Sequence, residues 1–258
     1  MSCIVLAVVL YLLLYILRIV YVRLIRAPTS FEKYRGEYAI VTGASYGIGK
    51  ALALSLAKRG LNVVLMARSK DKLDQVAQEI HSKYPSIQAR VLVADFASAK
   101  EDEEYDKIQT QLQDILPNIA VLCNNVGGGI NDVDLFHEYD EYSIETERNV
   151  YRLNVISATR MTRLVLPGMK SRKRGAILNI SSTASITTPY LAIYGSDKAK
   201  MNALSVAWNE EYRRYNIDVQ CIITGVVATP ASEAFSSVTG SVDAETFAEC
   251  TLNLFTAY

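Results

Sequence analysis

The sequence has few residues of the kinds that build metal centres, and it carries no excess of charge. Its 258 residues include two histidines and four cysteines, and the cysteines are scattered without zinc-type spacing. Lys and Arg together number 27, as do Asp and Glu, so the formal net charge is zero. A neutral chain has no global field that would attract nucleic acid. We therefore expect neither a metal site nor a nucleic-acid partner.

The chain also lacks internal repeats and low-complexity tracts, and its length suits one large α/β domain. One stretch stands apart: residues 3–22, CIVLAVVLYLLLYILRIVYV, in which Arg18 is the only charged residue. Twenty helical residues span about 30 Å, the thickness of the hydrocarbon core of a bilayer. We predict a membrane anchor over residues 1–26, a polar linker over 27–36 and a globular domain over 37–258.

The charges around the apolar run predict its orientation. Arg23 and Arg26 follow the run and no basic residue precedes it, which places the following domain in the cytosol. A cleaved signal peptide and a buried helix of the domain are the alternatives. A signal peptide requires a basic n-region and a small-residue cleavage site, and neither is present.

The segment YAIVTGASYGIGKALALSLAKRG reads as a strand, a glycine-rich turn and a helix. Gly43, Gly47 and Gly49 occupy the turn with the spacing G-x-x-x-G-x-G. Glycines at this place let the backbone approach a pyrophosphate at the helix N-terminus, where free N–H groups favour anions. This arrangement predicts a dinucleotide site.

The residue that ends the next strand bears on the choice of cofactor. LNVVLMAR ends at Arg68, where an NAD-preferring site would usually carry an acid for the ribose 2′-hydroxyl. A guanidinium fits a 2′-phosphate instead. We predict NADP(H).

Polar residues also follow two later apolar runs. ARVLVADF reaches Asp95, and IAVLCNNVG reaches Asn124, Asn125 and Gly127. Ligands of open parallel sheets lie across the carboxyl ends of the strands, so these residues are candidate cofactor contacts. Strands that alternate with helical segments predict a doubly wound, mostly parallel sheet.

Two further features are ambiguous on local pattern alone. The basic run KSRKR at 170–174 is either a solvated turn or a contact for phosphate or lipid, and we favour the turn. Tyr194 and Lys198 are four residues apart and share a helix face. Such pairs are common on soluble helices, so this pair does not by itself identify chemistry.

Taken together, the motifs resemble the short-chain dehydrogenase/reductase family. The matching elements are TGASYGIG (42–49), NNVG (124–127), LNV (153–155), NISS (179–182) and YGSDK (194–198), in family order. The anchor and the residues around the last two motifs are most similar to those of the membrane-bound branch of this family. That branch holds 17β-hydroxysteroid dehydrogenases and very-long-chain 3-oxoacyl-CoA reductases. The resemblance implies a Rossmann-type domain.

The resemblance also implies catalytic roles. Tyr194 would be the general acid that protonates a carbonyl oxygen during reduction. Lys198 would support the phenol and hold the nicotinamide ribose, and Asn154 would complete a water-linked proton path to Lys198. A serine would polarise the carbonyl. Alignment on the serine pair favours Ser182, whereas counting thirteen residues back from Tyr194 favours Ser181, and we rank Ser182 first.

Cofactor contacts are implied for a larger set that follows the glycine turn and the strand ends. Its members are Gly43, Ser45, Tyr46, Gly47, Ile48, Gly49, Arg68, Lys72, Asp95, Asn125, Val126, Gly127, Val227 and Thr229, together with Tyr194 and Lys198. Relatives usually have alanine in place of Val126 and Pro-Gly in place of Thr224-Gly225.

The expected function is NADPH-dependent reduction of a lipophilic ketone at the endoplasmic reticulum membrane, with the catalytic domain facing the cytosol. Both a 3-oxoacyl-CoA and a 17-ketosteroid stay open as substrates. After the helix predicted in DAETFAEC, the last sheet strand of relatives is missing, which would weaken a homodimer contact. The alternative is a catalytically impaired nucleotide-binding relative, or a truncated isoform that acts as a membrane scaffold.

Overall fold

Six parallel strands form the central sheet of the protein. The computed structural model describes residues 3–20, 31–98, 100–128, 138–186, 189–229 and 241–255. The strands are β1 Tyr38–Thr42, β2 Asn62–Ala67, β3 Ala89–Val93, β4 Ile119–Asn124, β5 Gly175–Ser182, β6 Ile217–Thr224, β7 Val227–Ala228 and β8 Val242–Asp243. The helices are α1 Cys3–Val20, α2 Gly47–Lys58, α3 Lys70–Lys83, α4 Glu101–Leu112, α5 Ile144–Tyr151, α6 Ser157–Arg172, α7 Ala192–Tyr212 and α8 Ala244–Leu254.

The order of the strands is β3-β2-β1-β4-β5-β6, and each neighbouring pair is parallel. The chain runs outward from β1 to β3 and then returns to the other side of β1 with β4. This reversal is the switch point at which doubly wound sheets bind ligands. The predicted doubly wound α/β fold is confirmed. β7 and β8 form a separate two-stranded pair.

The core has two layers because successive side chains of a strand point to opposite faces of the sheet. In β1, Ala39 and Val41 join a cluster with helices α2, α3 and α8, whereas Tyr38 and Ile40 join a cluster with α4 and α6. All five residues of β1 are buried, as expected for a parallel strand covered on both faces.

The N-terminal helix α1 contains 18 residues, and every side chain that the structure describes on it is exposed. Among the helices of the described residues, none is long and apolar enough to cross a membrane. Residues 1, 2 and 21–26 of the predicted anchor, and residues 27–30 of the predicted linker, lie outside the described residues.

The basic run at 170–174 is not simply a solvated turn. Nη2 of Arg174 lies 2.6 Å from Oε1 of Glu37, and Nε of Arg172 lies 3.7 Å from Oε2 of the same carboxylate. Arg172 also donates to the Ile119 carbonyl at 2.6 Å. The local pattern could not predict these pairs, because the acid precedes β1 and the cations lie just before β5. The run therefore ties the starts of the strands together.

The C-terminal helix α8, predicted from its sequence, packs on α2. Glu249 of α8 accepts from Ser55 at 3.0 Å and pairs with Arg59 at 2.9 Å. The ring of Phe255, which follows α8, lies 5.3 Å from that of Phe31 between their centroids. In the described part of the chain, β6 forms one edge of the sheet.

Candidate active site

The glycine-rich turn lies between β1 and α2, at the carboxyl end of the sheet. Gly43 and Gly47 have φ angles of +66° and +55°, which side chains rarely tolerate. A Cβ at Gly49 would lie 2.1 Å from the carbonyl oxygen of Gly43, so the turn closes tightly only without a side chain. The first N–H groups of an α-helix lack acceptors within the helix, so the start of α2 suits an anion.

Thr42 and Asn125 fix this turn to the end of β4. The Thr42 hydroxyl accepts from the backbone N–H groups of Asn125 and Val126, both at 3.0 Å. The Asn125 side chain donates to the carbonyl oxygens of Thr42, at 2.9 Å, and Gly43, at 3.2 Å. Asn125 therefore holds the turn through its side-chain amide, while its backbone contacts the Thr42 hydroxyl.

Cations cluster beyond the turn, at the end of β2. Arg68 follows β2, is exposed and forms no ion pair with another described residue. Nζ of Lys72 lies 5.5 Å from the centroid of the Tyr46 ring, which brings α3 to the turn. Asp95 is also exposed, and its carboxylate accepts from the backbone N–H of Ala97 at 3.1 Å. Ser45 and Ile48 lie within the turn itself.

A second part of the chain meets the turn from β7. A Cβ built on Gly47 would lie 3.1 Å from the Cγ2 methyl of Thr229, so the Thr229 side chain packs closely against the backbone of the turn. Val227 is buried in β7. Gly47 and Thr229, which are 182 positions apart in the sequence (229 − 47), therefore border one cleft.

Lys198 and Asn154 converge on Gly127. Lys198 is 4% exposed, and its ammonium donates to the carbonyl oxygen of Ile180 at 3.0 Å. A Cβ on Gly127 would lie 2.8 Å from Nζ of Lys198 and 2.7 Å from Oδ1 of Asn154. Because Gly127 has no side chain, the ammonium of Lys198 and the amide of Asn154 can both lie next to its Cα.

Asn154 sits on an irregular helical turn. Residues Arg152–Ile156 form a π-helical segment between α5 and α6, a feature that often marks functional sites. The Asn154 amide donates to the carbonyl oxygens of Gly128 and Val150, both at 2.9 Å, and its oxygen accepts from the N–H of Gly128 at 3.0 Å. The side chain is thereby held in one orientation.

Tyr194 projects from the first turn of α7 and is half-buried. Nζ of Lys198 lies 5.5 Å from the centroid of its ring. This spacing follows from the shared helix face predicted for residues four apart.

The two candidate serines differ in their surroundings. Ser181 is 1% exposed, and its hydroxyl donates to the carbonyl oxygen of Lys198 at 3.2 Å. Ser182 is half-buried, and its hydroxyl accepts from the N–H of Ala184 at 3.1 Å. Neighbouring strand residues face opposite ways, so only one of them can serve a given cleft.

A protein-family model described as short chain dehydrogenase matches residues 37–239. The chain belongs to this family. The match covers the sheet, the glycine turn and the tyrosine helix, which are the parts from which the cleft is built.

Among relatives of this chain, the very-long-chain 3-oxoacyl-CoA reductase of Mus musculus is 41% identical over 219 residues, covering 82% of this chain and 66% of its own length. The enzyme of that name from Anas platyrhynchos is 43% identical over 205 residues, covering 77% and 62%. The chain thus spans less than two thirds of the length of these relatives.

Solved structures show the same fold. The L-sorbose reductase of Gluconobacter frateurii, complexed with NADPH and L-sorbose, is 26% identical with a TM-score of 0.76, covering 88% of this chain and 92% of that one. A short-chain dehydrogenase of Sphingobium yanoikuyae in complex with NADPH is 25% identical with a TM-score of 0.75, covering 84% and 82%.

The dehydrogenase fold also contains polar residues that sequence reasoning missed or misplaced. Asn124, grouped above with the strand-end contacts, points inward and donates to Thr162 at 3.1 Å and to Asn179 at 2.8 Å. Asn179 in turn donates to Ser205 of α7 at 2.8 Å. This buried chain joins α6, β4, β5 and α7 beneath the cleft. The two adjacent asparagines indicated polar contacts at this strand end, but nothing in the sequence showed that the Asn124 side chain faces the interior.

Asp197 is the other residue that sequence reasoning missed. It precedes Lys198 on α7, yet only 5% of its surface is exposed. Burial raises the pKa of its carboxyl to about 6, and the nearby charges of Lys198 and Lys200 oppose this rise. Acidic side chains are rarely this buried unless they are paired with a cation.

Proposed function

We propose that this dehydrogenase is an NADPH-dependent reductase of a ketone on a lipophilic substrate, with a 3-oxoacyl-CoA as the first candidate. The observation that carries the proposal is the convergence of Lys198 and Asn154 on Gly127, beside the ring of Tyr194. An ammonium held near a phenol at the carboxyl end of a parallel sheet suits proton transfer to a carbonyl oxygen.

The cleft fits a dinucleotide that carries a 2′-phosphate. Gly43, Gly47 and Gly49 form a backbone cradle that a Cβ would fill, and the N-terminus of α2 favours a pyrophosphate. Arg68 and Lys72 would hold the 2′-phosphate, since both are exposed cations at the end of β2 and the start of α3. When bound, NADPH supplies the hydride for the carbonyl carbon. The NADPH-bound neighbours of this fold support the choice.

Tyr194 would give its proton to the carbonyl oxygen as charge develops there. The ammonium of Lys198 favours the phenolate left behind, because an opposite charge nearby stabilises an ionised group. Ile180 accepts a hydrogen bond from this ammonium, which fixes its position beneath the phenol. Asn154 holds the neighbouring backbone at Gly128 and would anchor the water-linked path that returns the proton.

Ser182 would polarise the carbonyl. The hydroxyl of Ser181 is buried and donates a hydrogen bond to the main chain of α7, so it is already engaged within the fold. The side chain of Ser182 lies on the opposite face of β5 and keeps partial exposure at the strand end. This difference supports the ranking made from the serine pair.

A 3-oxoacyl-CoA is favoured over a ketosteroid because the relatives reported above carry the name very-long-chain 3-oxoacyl-CoA reductase. The proposal includes attachment of the N-terminal segment to the endoplasmic reticulum membrane, with the domain in the cytosol. Residues 3–22 are apolar apart from Arg18, and the apolar side chains described on α1 are exposed all round the helix. Retention of the chain in membranes after an alkaline carbonate wash is expected, and its release would contradict the attachment.

The test is NADPH oxidation by the full chain in membranes, offered a long-chain 3-oxoacyl-CoA and, separately, a 17-ketosteroid. Turnover of the acyl-CoA is expected. Tyr194→Phe should reduce kcat by about 100- to 10,000-fold and leave NADPH binding nearly intact, because only the proton donor is removed. NADPH binding without turnover of either substrate would overturn the proposal in favour of a nucleotide-binding relative without catalysis.

A further inference from the structure

A buried carboxylate on α7 lies outside the machinery proposed above. Asp197 is 5% exposed, and its Oδ2 accepts no hydrogen bond within the described part of the chain. A carboxylate that is removed from water needs a cation or several donors to compensate for its lost hydration. The residue therefore has an unmet requirement for a positive partner.

The cations around Asp197 are engaged elsewhere. Lys198 donates to the carbonyl oxygen of Ile180 at 3.0 Å. The ammonium of Lys200 donates to the hydroxyl of Tyr151. Arg148, on the facing helix α5, lies 3.7 Å from a carboxylate oxygen of Glu145. None of these three side chains forms an ion pair with Asp197 in the part of the molecule described here, although Lys198 and Lys200 contribute long-range attraction.

A cavity of about 450 Å³ opens beside this carboxylate, between α5 and α7. Asp197 and Glu147 both line it, and the hydroxyl of Tyr139 donates to Glu147 at 3.5 Å. Arg148 and Ser196 also line it, and the rest of the lining is apolar or aromatic, with Ile144, Tyr151 and Ile193 among its members. Its volume is in the range of pockets that hold small organic molecules.

The chemistry of this lining narrows the class of ligand. An anion would meet two carboxylates, because the Arg148 guanidinium in the same lining is paired with Glu145, and a neutral molecule would leave Asp197 without a cation. Calcium and magnesium ions require about six oxygen ligands, more than two carboxylates supply. An organic ammonium meets the charge, and the tyrosine rings add cation–π attraction.

We propose that this cavity binds an alkylammonium ion, with the charged head at the carboxylate of Asp197 and the alkyl chain against Ile144 and Ile193. Glu147 contributes a second negative charge at the entrance, where it is exposed. The site is separate from the proposed reduction, and its occupancy is measurable by binding alone.

The test is calorimetric titration of the full chain with n-hexylammonium chloride at pH 7.5, with hexan-1-ol as an uncharged probe of the same length. The ammonium is expected to bind at least 10-fold more tightly than the alcohol, as a charge-assisted hydrogen bond at a buried site would provide. Asp197→Asn should abolish that difference. Glu210→Gln, on an exposed acid of the same helix that pairs with Arg213 at 3.1 Å, should leave it unchanged.

The pH dependence gives an independent readout. Burial raises the pKa of Asp197 to about 6, so the carboxylate is ionised at pH 7.5 and mostly protonated at pH 5. Affinity for the ammonium should therefore fall as the pH is lowered through 6. The charged groups near Asp197 are Lys198 and Lys200 on its own helix, and Glu147 and Arg148 on α5.

Three outcomes would overturn the proposal. Equal affinity for hexylammonium and hexanol would identify a merely apolar cavity. Absence of binding to the wild-type chain would mean that the carboxylate is compensated internally. If Lys200→Met binds the ammonium and the wild type does not, Lys200 itself occupies the carboxylate. Retention of NADPH binding by Asp197→Asn separates a lost site from a misfolded chain.

Discussion

The two ends of the sheet use the same residue types in opposite ways. At the amino end, Arg172 and Arg174 turn toward Glu37, and Arg174 also lies over the Tyr34 ring, 5.2 Å from its centroid. At the carboxyl end, Arg68 is exposed and pairs with no described residue. The arginines at the amino end form ion pairs that stabilise the fold, whereas Arg68 at the carboxyl end is available to a ligand.

The two ends of the sheet also differ in how much space the side chains leave. The carboxyl end carries glycines that leave space for other groups, as at Gly127, where a Cβ would displace the ammonium of Lys198. The amino end is filled by side chains, and Tyr34 there is fully buried, which raises the pKa of its phenol. A sheet can separate the two tasks because the ends of parallel strands lie on opposite edges.

The contrast is tested most severely at Gly127. Gly127→Ala should lower kcat by about 100-fold, because the new methyl group displaces the ammonium of Lys198 and the amide of Asn154. The measurement is NADPH-dependent turnover, with thermal unfolding recorded alongside. Gly225→Ala is the matched control, since a Cβ there meets nothing within 4 Å and should change neither quantity. Similar turnover in the Gly127 variant and the control would show that the convergence on Gly127 is not needed.

A second experiment removes the exposed arginine at the carboxyl end, Arg68. Arg68→Ala should weaken NADPH binding by roughly 10- to 100-fold, because a charge-assisted hydrogen bond to the 2′-phosphate is lost. NADH binding and the unfolding temperature should stay near wild-type values. The affinities are measured by fluorescence titration of each cofactor. Equal losses for NADPH and NADH would contradict the assignment of Arg68 to the phosphate.

The smallest effect is expected at the amino end. Arg174→Ala should reduce the free energy of unfolding by about 1–2 kcal/mol, because Glu37 keeps only its weaker pairing with Arg172. Urea denaturation measures the loss, and kcat/KM per folded molecule should be unchanged. A variant of unchanged stability with weakened cofactor binding would reverse the division between the two ends.

Much of the fold was predictable because its signals are local. Apolar runs that alternate with helical segments indicated the doubly wound sheet, and the glycine spacing marked the turn between β1 and α2. The Tyr194 and Lys198 pair was visible for the same reason, since residues four apart on a helix share a face. The roles assigned to Tyr194, Lys198, Asn154 and the serines stay predictions, which the experiments above address.

Other features depend on partners that are distant in sequence. The run KSRKR looks like a solvated turn until Arg174 reaches the carbonyl of Lys33, 141 residues away in the chain. Asn124 stands at a strand end in the sequence, yet its amide is used inside the sheet because Asn179 of β5 lies alongside it. Neither outcome follows from spacing alone.

The sequence by itself determined the class of fold, the position of the glycine turn and the helix that carries Tyr194, because periodicity and spacing act over a few residues. Tertiary structure alone decided which serine is buried, which arginines are paired and that Asp197 forms no ion pair with another described residue. Burial and charge pairing depend on what the other strands and helices bring to each side chain, and a single stretch of sequence does not contain that information.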